Sequence, residues 1–399
     1  MGNSESVLKE KKVVVVGGGY GGAHAVDLLR GKCQLTVLDP REYYHYCVGS
    51  LRATVEPGLE KKILIPYKEA WQGVYRQGKV TAINPDEQLI LLEDGDKVSY
   101  DVVIIATGCH GHFPGKIDLN VKTMAEAEKL FKEKQEQVKK ADRITIIGAG
   151  AVGVEMSAEI ATEYPTKKVT VISSGSDIIQ GPFKKQFRDG ARKQLQKLGV
   201  TLVLEERVSN FDDLPTDGSS SCTVKTDKGT EIDSDLIIIS TGLHVNSEAY
   251  ERNFVDVMDE NKHLKVNKYM QVEGHSNVFA IGDCSNADKV KMAYKAGLHM
   301  EVVAKNIIAL FTNGKMTPYK EQTVMMLTLG RYGGITQFGS LIFGPLITRY
   351  KSRDVFIGKT RSMVLKKTRG TNYFIWIALV IAAALIILTV IVTVLLKKF

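Results

Sequence analysis

The sequence predicts an α/β fold with two Rossmann-like dinucleotide-binding domains, a small C-terminal α+β domain and a C-terminal transmembrane helix. Three observations predict it. The segment KKVVVVGGGYGGAHAVDLLRGKCQLTVLD reads as a β-branched run, a glycine turn, a helical stretch and a second β-rich run, which is a βαβ unit. The same pattern returns at RITIIGAGAVGVEMSAEIATEYPTKKVTVISS. Near the end, YFIWIALVIAAALIILTVIVTVLL carries no charge and is long enough to cross a bilayer core.

In the first unit, Gly17, Gly18, Gly19, Tyr20, Gly21 and Gly22 form a GxGxxG fingerprint directly after a strand and at the opening of a helix. Gly17 permits the tight turn, Gly19 lets the backbone approach a pyrophosphate, and Gly22 allows close helix–strand packing. Asp39 ends the next strand about 20 residues further on, where a carboxylate accepts hydrogen bonds from ribose hydroxyls. The following KVTAINPDEQLILLEDGDKVSYDVVIIATG alternates apolar and polar residues as antiparallel strands do, then closes on a buried strand and Ala106-Thr107-Gly108.

The second unit repeats the fingerprint at Gly148, Gly150 and Gly153, but its second strand ends in Ser173 and Ser174 with no acid. A carboxylate there would repel a 2′-phosphate, so both NADH and NADPH stay open as donors. Glu155 follows in the first turn of the helix, where it would reach the nicotinamide end or simply favour the helix dipole. The unit closes on Ser240-Thr241-Gly242 after its own β-meander. Two dinucleotide folds call for two dinucleotides, a flavin (FAD) and a nicotinamide, as in FAD/NAD(P)-linked reductases. A strand, a Gly282-Asp283 turn and a long helix follow, with Asp283 placed to bond ribityl hydroxyls and the helix N-terminus placed to stabilise reduced flavin.

The expected boundaries are 1–10 for an N-terminal segment, 11–115 with 243–315 for the FAD-binding domain, and 116–242 for the NAD(P)H-binding domain. A membrane-proximal domain occupies 316–370 and the spanning helix 373–396. Composition agrees with a globular enzyme, at 44% hydrophobic and 25% charged residues over 399. The excess of +8 falls largely on Arg349, Lys351, Arg353, Lys359, Arg361, Lys366, Lys367 and Arg369, just before the apolar segment, while Lys397 and Lys398 follow it. The positive-inside rule then leaves the catalytic part in the cytosol. The start, MGNSESVLKEKK, lacks the apolar core of a secretory leader, and Gly2 with Ser6 satisfies the myristoylation pattern. Cys33, Cys47, Cys109, Cys222 and Cys284 form no CxxC pair and no metal-like spacing with histidines, so a relay of electrons through an internal dithiol is not expected.

These motifs, together with SLRATVEPG, YRQGKV, HFPGK, RVSNFDDLP, QVEGHSNVFAIGDC, KMAYKAGLH and KSRDVF, resemble the ferroptosis-suppressor, apoptosis-inducing-factor-like flavoprotein family. Type II NADH dehydrogenases are similar at a greater distance. The resemblance implies an NAD(P)H:quinone oxidoreductase that reduces ubiquinone, and vitamin K quinones, to radical-trapping hydroquinols in membranes. It places FAD on Gly17 to Gly22, Arg52, Val80 and Asp283, and the nicotinamide near Glu155. The spanning helix departs from the family pattern, which relies on a myristoyl group, and so leaves plasma membrane, lipid droplet, endoplasmic reticulum and outer mitochondrial membrane open.

Tyr294, Lys295 and His299 are candidates for supplying protons to the quinone, or for packing and solvent contact along one helix. The expected partners are the bilayer and a quinone; a homodimer is left open. Two alternatives stand beside this reading: a reductase of another electron carrier such as a ferredoxin, and a DNA-binding, apoptosis-linked signalling flavoprotein. The basic runs KLFKEKQEQVKK and PFKKQFRDGARKQLQK read as solvated helix faces rather than a nucleic-acid surface.

Overall fold

A computed structural model describes residues 7–365. Its first sheet has the spatial order Val278–Ala280, Val102–Ile105, Lys12–Val16, Gln34–Asp39, Tyr75–Gln77, and all its pairings are parallel. A parallel sheet covered on both faces needs continuous apolar strands, and the Val13–Val16 and Val102–Ile105 runs are buried throughout. On one face lie the helices Tyr20–Leu29 and Ala293–Thr312, sharing a core with Tyr43, Tyr67 and Trp71. On the other lies the antiparallel meander Val80–Asn84, Leu89–Leu92, Lys97–Ser99.

The second sheet repeats the plan with four parallel strands, in the order Thr201–Leu204, Lys168–Ser173, Arg143–Ile147, Leu236–Ile239. Its fingerprint helix is Ala151–Glu163. The helix Met124–Lys140 enters through a capping box in which Thr123 and Glu126 satisfy each other's backbone donors. The two sheets are joined twice. Cys109–His110 pairs antiparallel with His244–Val245, so the chain leaves and re-enters the first domain side by side, just after Gly108 and Gly242.

The third unit is an antiparallel sheet, Val324–Leu329, Gly333–Phe338, Leu341–Phe343, followed by helices Pro345–Ser352 and Ile357–Leu365. Sequence pattern gave its strands but left the basic stretch unassigned; Pro at the first helical turn starts the helix that occupies it. Gly334, at φ +144°, lets Thr348 of that helix approach the strand backbone where any Cβ would collide. Met325, Leu327, Leu329 and Ile335 join Val154, Met156 and Ile160 in one core, so this unit is built onto the second fingerprint helix. Among the described residues no helix is long and apolar enough to cross a membrane. The expected span at 373–396 and the acylation site Gly2 both lie outside them.

Candidate active site

Two cradles of the same geometry lie at the carboxyl ends of the two parallel sheets. Gly17 has φ +111° and donates its N–H to the Leu38 carbonyl at 2.8 Å; Gly148 has φ +113° and donates to the Ile172 carbonyl at 2.8 Å. A Cβ at Gly22 would overlap the Gly17 carbonyl oxygen, and one at Gly153 would overlap that of Gly148, so each third glycine is needed for helix–turn packing. The middle glycines differ. Gly19 and Gly150 have nothing within 4 Å of a Cβ position, and each N-caps its helix without a side-chain cap and without an acid in the first turn. The first-turn N–H groups therefore have no side-chain anion of their own, and the residues present fit a dinucleotide pyrophosphate in each cradle.

The surroundings of the first cradle are assembled from several elements. Asp39 Oδ2 accepts the Gly18 N–H at 2.7 Å and Oδ1 accepts the Arg41 N–H at 2.9 Å. The carboxylate that the sequence assigns to a ribose thus also ties the strand end to the glycine turn. Tyr67, which sequence reasoning missed, donates its hydroxyl to the Gly18 carbonyl at 2.8 Å. Tyr20 stacks against Tyr46 with ring centroids 6.5 Å apart, and burial raises its phenol above the ordinary range. Thr107 and Gly108 follow the strand Val102–Ile105, their carbonyls accepting from Asn246 at 2.8 and 3.0 Å. Val80 is buried with Val16 and Leu38 behind the sheet.

Asp283 sits in a single 3₁₀ turn, Gly282–Cys284, with Gly282 at φ +70°. It accepts from the Cys109 thiol at 2.9 Å and from Lys116 Nζ at 3.4 Å. Burial, with the neighbouring Asp283 opposing Lys116, pushes the Cys109 thiol up to about 12, so it stays protonated and a donor. Here the structure corrects the expectation that this aspartate opens the long helix. That helix starts at Ala293, after the connector 285–292, so its N-terminal dipole does not begin at the turn.

The second cradle is tied to the third unit through its helix. Glu155 Oε1 accepts from the Thr328 N–H at 2.8 Å, from Thr328 Oγ1 at 2.7 Å and from Lys351 Nζ at 3.1 Å, and Lys351 also donates to the Met326 carbonyl at 2.7 Å. Glu155 stands in the second turn of its helix rather than the first, and is held by three donors from elsewhere. One helical turn on, Glu159 is buried and paired with Arg52 at 2.7 Å. Arg52 Nη1 donates to the Ser352 carbonyl at 2.6 Å. The guanidinium expected to contact FAD is thereby engaged by the protein and joins first domain, second domain and third unit at one point. Lys351 opens KSRDVF and Glu159 sits in the second fingerprint run, but they are 196 and 107 residues from their partners and neither motif reveals the pairing.

For Tyr294, Lys295 and His299, left open between proton donors and packing contacts, the structure places the group on the packing side. Lys295 and His299 are 3% and 1% exposed, on the buried face of Ala293–Thr312, and Tyr294 donates to the Val324 carbonyl at 3.0 Å. Lys295 and His299 both bond buried Asp288, and neither is open to a substrate groove. Helical spacing placed them together but could not say which way the face turned.

Residues 11–299 match the family model described as pyridine nucleotide-disulphide oxidoreductase, and the chain belongs to that family. It is an FAD-dependent NAD(P)H oxidoreductase. Within the family it is 40% identical over 364 residues to ferroptosis suppressor protein 1 of Taeniopygia guttata, covering 90% of this chain and 97% of that one. It is 37% identical to apoptosis-inducing factor homolog B of Dictyostelium discoideum over 88% of this chain and 96% of that one. The sulfide:quinone oxidoreductase of Aquifex aeolicus shares the fold, with a TM-score of 0.67 at 18% identity over 88% of this chain and 92% of that one.

Proposed function

We propose that this chain carries two electrons from NAD(P)H through FAD to a membrane quinone, ubiquinone or a vitamin K quinone. The hydroquinol formed traps lipid radicals and so suppresses ferroptosis. The observation that carries the reading is a pair of matched dinucleotide cradles on a chain whose five cysteines are all free thiols. Electrons taken from a nicotinamide then have no disulfide to enter, and the acceptor is external. The relatives named ferroptosis suppressor protein 1 support the same reading.

Bound FAD would supply a two-electron acceptor that a hydride reduces and a quinone reoxidises. Gly17 to Gly22 would hold its pyrophosphate, Asp39 its ribose and Asp283 its ribityl chain, with Thr107, Gly108 and the Val80 strand forming the wall. Gly148, Gly150 and Gly153 would hold the nicotinamide cofactor. Glu155 and Lys351 stand beside that cradle as an ion pair that can orient its reactive end. Arg52 acts by fixing the three units in place.

The same reading anchors the protein through 373–396 with the catalytic part in the cytosol, and acylation at Gly2 adds a second attachment. Alkaline carbonate should then fail to extract a Gly2→Ala variant and should release a chain ended after Thr371; release of both overturns the anchor. For the reaction, steady-state NADH and NADPH oxidation by the purified flavoprotein is measured against a quinone panel. Quinone-dependent turnover is expected. Turnover with a ferredoxin-type carrier alone, or salt-dependent DNA retention without quinone turnover, would overturn the proposal in favour of one of the two alternatives.

A further inference from the structure

Behind the Gly282–Asp283 turn lies a buried polar network that the reaction as described does not use. His299 Nδ1 accepts the Gly282 N–H at 3.0 Å, and His299 Nε2 lies 2.7 Å from Asp288 Oδ2. Because Nδ1 accepts, its proton is absent, and Nε2 is the nitrogen that donates to Asp288. Asp288 in turn accepts from Lys295 Nζ at 2.9 Å and from the Tyr319 hydroxyl at 3.0 Å, while the Tyr319 ring meets the His299 ring edge-on at 4.5 Å. Asp288 is 4% exposed. Burial alone would raise its carboxyl, yet the bonds from His299 and Lys295 hold it below the usual carboxylate range.

Burying a carboxylate, an ammonium and an imidazole together is costly unless each is satisfied. Lys295 Nζ also donates to Glu321 Oε1 at 3.2 Å at the exposed side of the network, and His299 alone carries it to the turn. The network delivers a single, tautomer-defined acceptor to the backbone N–H immediately before Asp283. That backbone stands in a left-handed turn, and Ala296 of the same helix lies 3.1 Å from the Gly282 Cβ position. Helix Ala293–Thr312 therefore meets the turn from behind at two points, one apolar and one polar.

We propose that His299 is a positioning residue for FAD: with its tautomer fixed by Asp288, it clamps the Gly282 amide and so sets the angle at which Asp283 meets the ribityl chain. The proposal rests on the reading that Asp283 holds FAD. His299 does not touch the cofactor; it acts through one backbone hydrogen bond.

Two substitutions split the imidazole into its halves. In His299→Asn the amide oxygen falls near the place of Nδ1 and keeps an acceptor for Gly282, while the bond to Asp288 is lost. In His299→Gln the amide nitrogen falls near the place of Nε2 and keeps the bond to Asp288, while the acceptor for Gly282 is lost. The readouts are the FAD dissociation constant of the full chain, by titrating apoprotein with FAD, and the midpoint potential of the bound flavin. His299→Asn should stay within about twofold of wild type. His299→Gln should bind FAD about tenfold more weakly, the equivalent of one hydrogen bond, and shift the flavin potential. Tyr319→Phe, which removes a bond to Asp288 alone, should leave both readouts unchanged.

Equal losses in the two histidine variants, or the larger loss in His299→Asn, would overturn the clamp and leave a structural network. Asp283→Ala separates this from the reading beneath it, because undiminished FAD affinity in that variant overturns the reading itself. Should the histidine variants fail to fold, amide exchange in the wild-type holoenzyme still decides. Slow exchange at Gly282 is expected, and exchange as fast as that of exposed turn amides overturns the proposal.

Discussion

The two fingerprint turns share their first-glycine geometry, yet their side chains are tied to different parts of the molecule. Gly17 and Gly148 share a φ within a few degrees, +111° and +113°, and each third glycine is excluded from bearing a Cβ by the first glycine's carbonyl. Around the first turn the ties are short-range and inward: Asp39 and Tyr67 both grip Gly18. Around the second they are long-range and outward, through Glu155 to Lys351 and Thr328 and through Glu159 to Arg52. The shared part fits a pyrophosphate, which both cofactors possess. On the proposed function, the divergent part would separate a cofactor that stays from one that must enter and leave.

If the glycine geometry is common to both turns, Gly22→Ala and Gly153→Ala should be equally damaging. A methyl driven into a carbonyl oxygen forces backbone movement at about 4 kcal/mol or more, read as lost thermal stability of the whole chain. A mild Gly153→Ala beside a severe Gly22→Ala would break the equivalence. The outward ties come next. Arg52→Met leaves Glu159 buried without its partner and should cost about 3–5 kcal/mol in chemical denaturation, while the double variant with Glu159→Met should recover much of it. Recovery would mark the pair as a joint, whereas loss of flavin from the double variant would return Arg52 to a direct role in binding FAD.

The middle glycines sharpen the comparison, since a methyl at either one meets open space and the fold should tolerate it. Gly19→Ala should lower flavin content at normal NAD(P)H affinity, and Gly150→Ala should raise KM for NAD(P)H by about tenfold with flavin retained, about 1.4 kcal/mol. Identical effects on both cofactors would show that the cradles are not independent. Lys351→Met should slow flavin reduction by NAD(P)H in stopped flow by a similar factor and spare reoxidation by quinone; equal slowing of both steps would make Lys351 a brace between units.

The smallest effect is one of pH. His24, on the first fingerprint helix, has Nε2 without a hydrogen-bond partner among the described residues, and burial lowers its pKa from 6.5 to about 4. Falling pH protonates the unfolded chain first, so stability is full above about 6.5 and declines from there towards 4, by about 1 kcal/mol between pH 7 and pH 5.5. His45, held low by burial first and then by Arg41 and Lys116, acts in the same direction. His24→Gln should flatten this acid limb; an unchanged slope would place the titration elsewhere.

By itself the sequence determined the two parallel sheets and the positions of both glycine turns. A β-branched run, three glycines and an apolar-faced helix are local patterns, and local sterics admit one way of arranging them. It also located Asp39 and Asp283, because strand ends and tight turns leave marks in consecutive residues. It could not tell which face of Ala293–Thr312 was buried, and so left Tyr294, Lys295 and His299 as either proton donors or packing and solvent contacts. Nor could it assign Arg52 to Glu159 or Lys351 to Glu155, pairs separated by 107 and 196 residues. Such pairs depend on how units dock, and docking is decided by the shape and charge of whole faces after the elements have formed. Only the tertiary structure could join a turn that chain chemistry dictates to the helix, the third unit and the buried network that hold it.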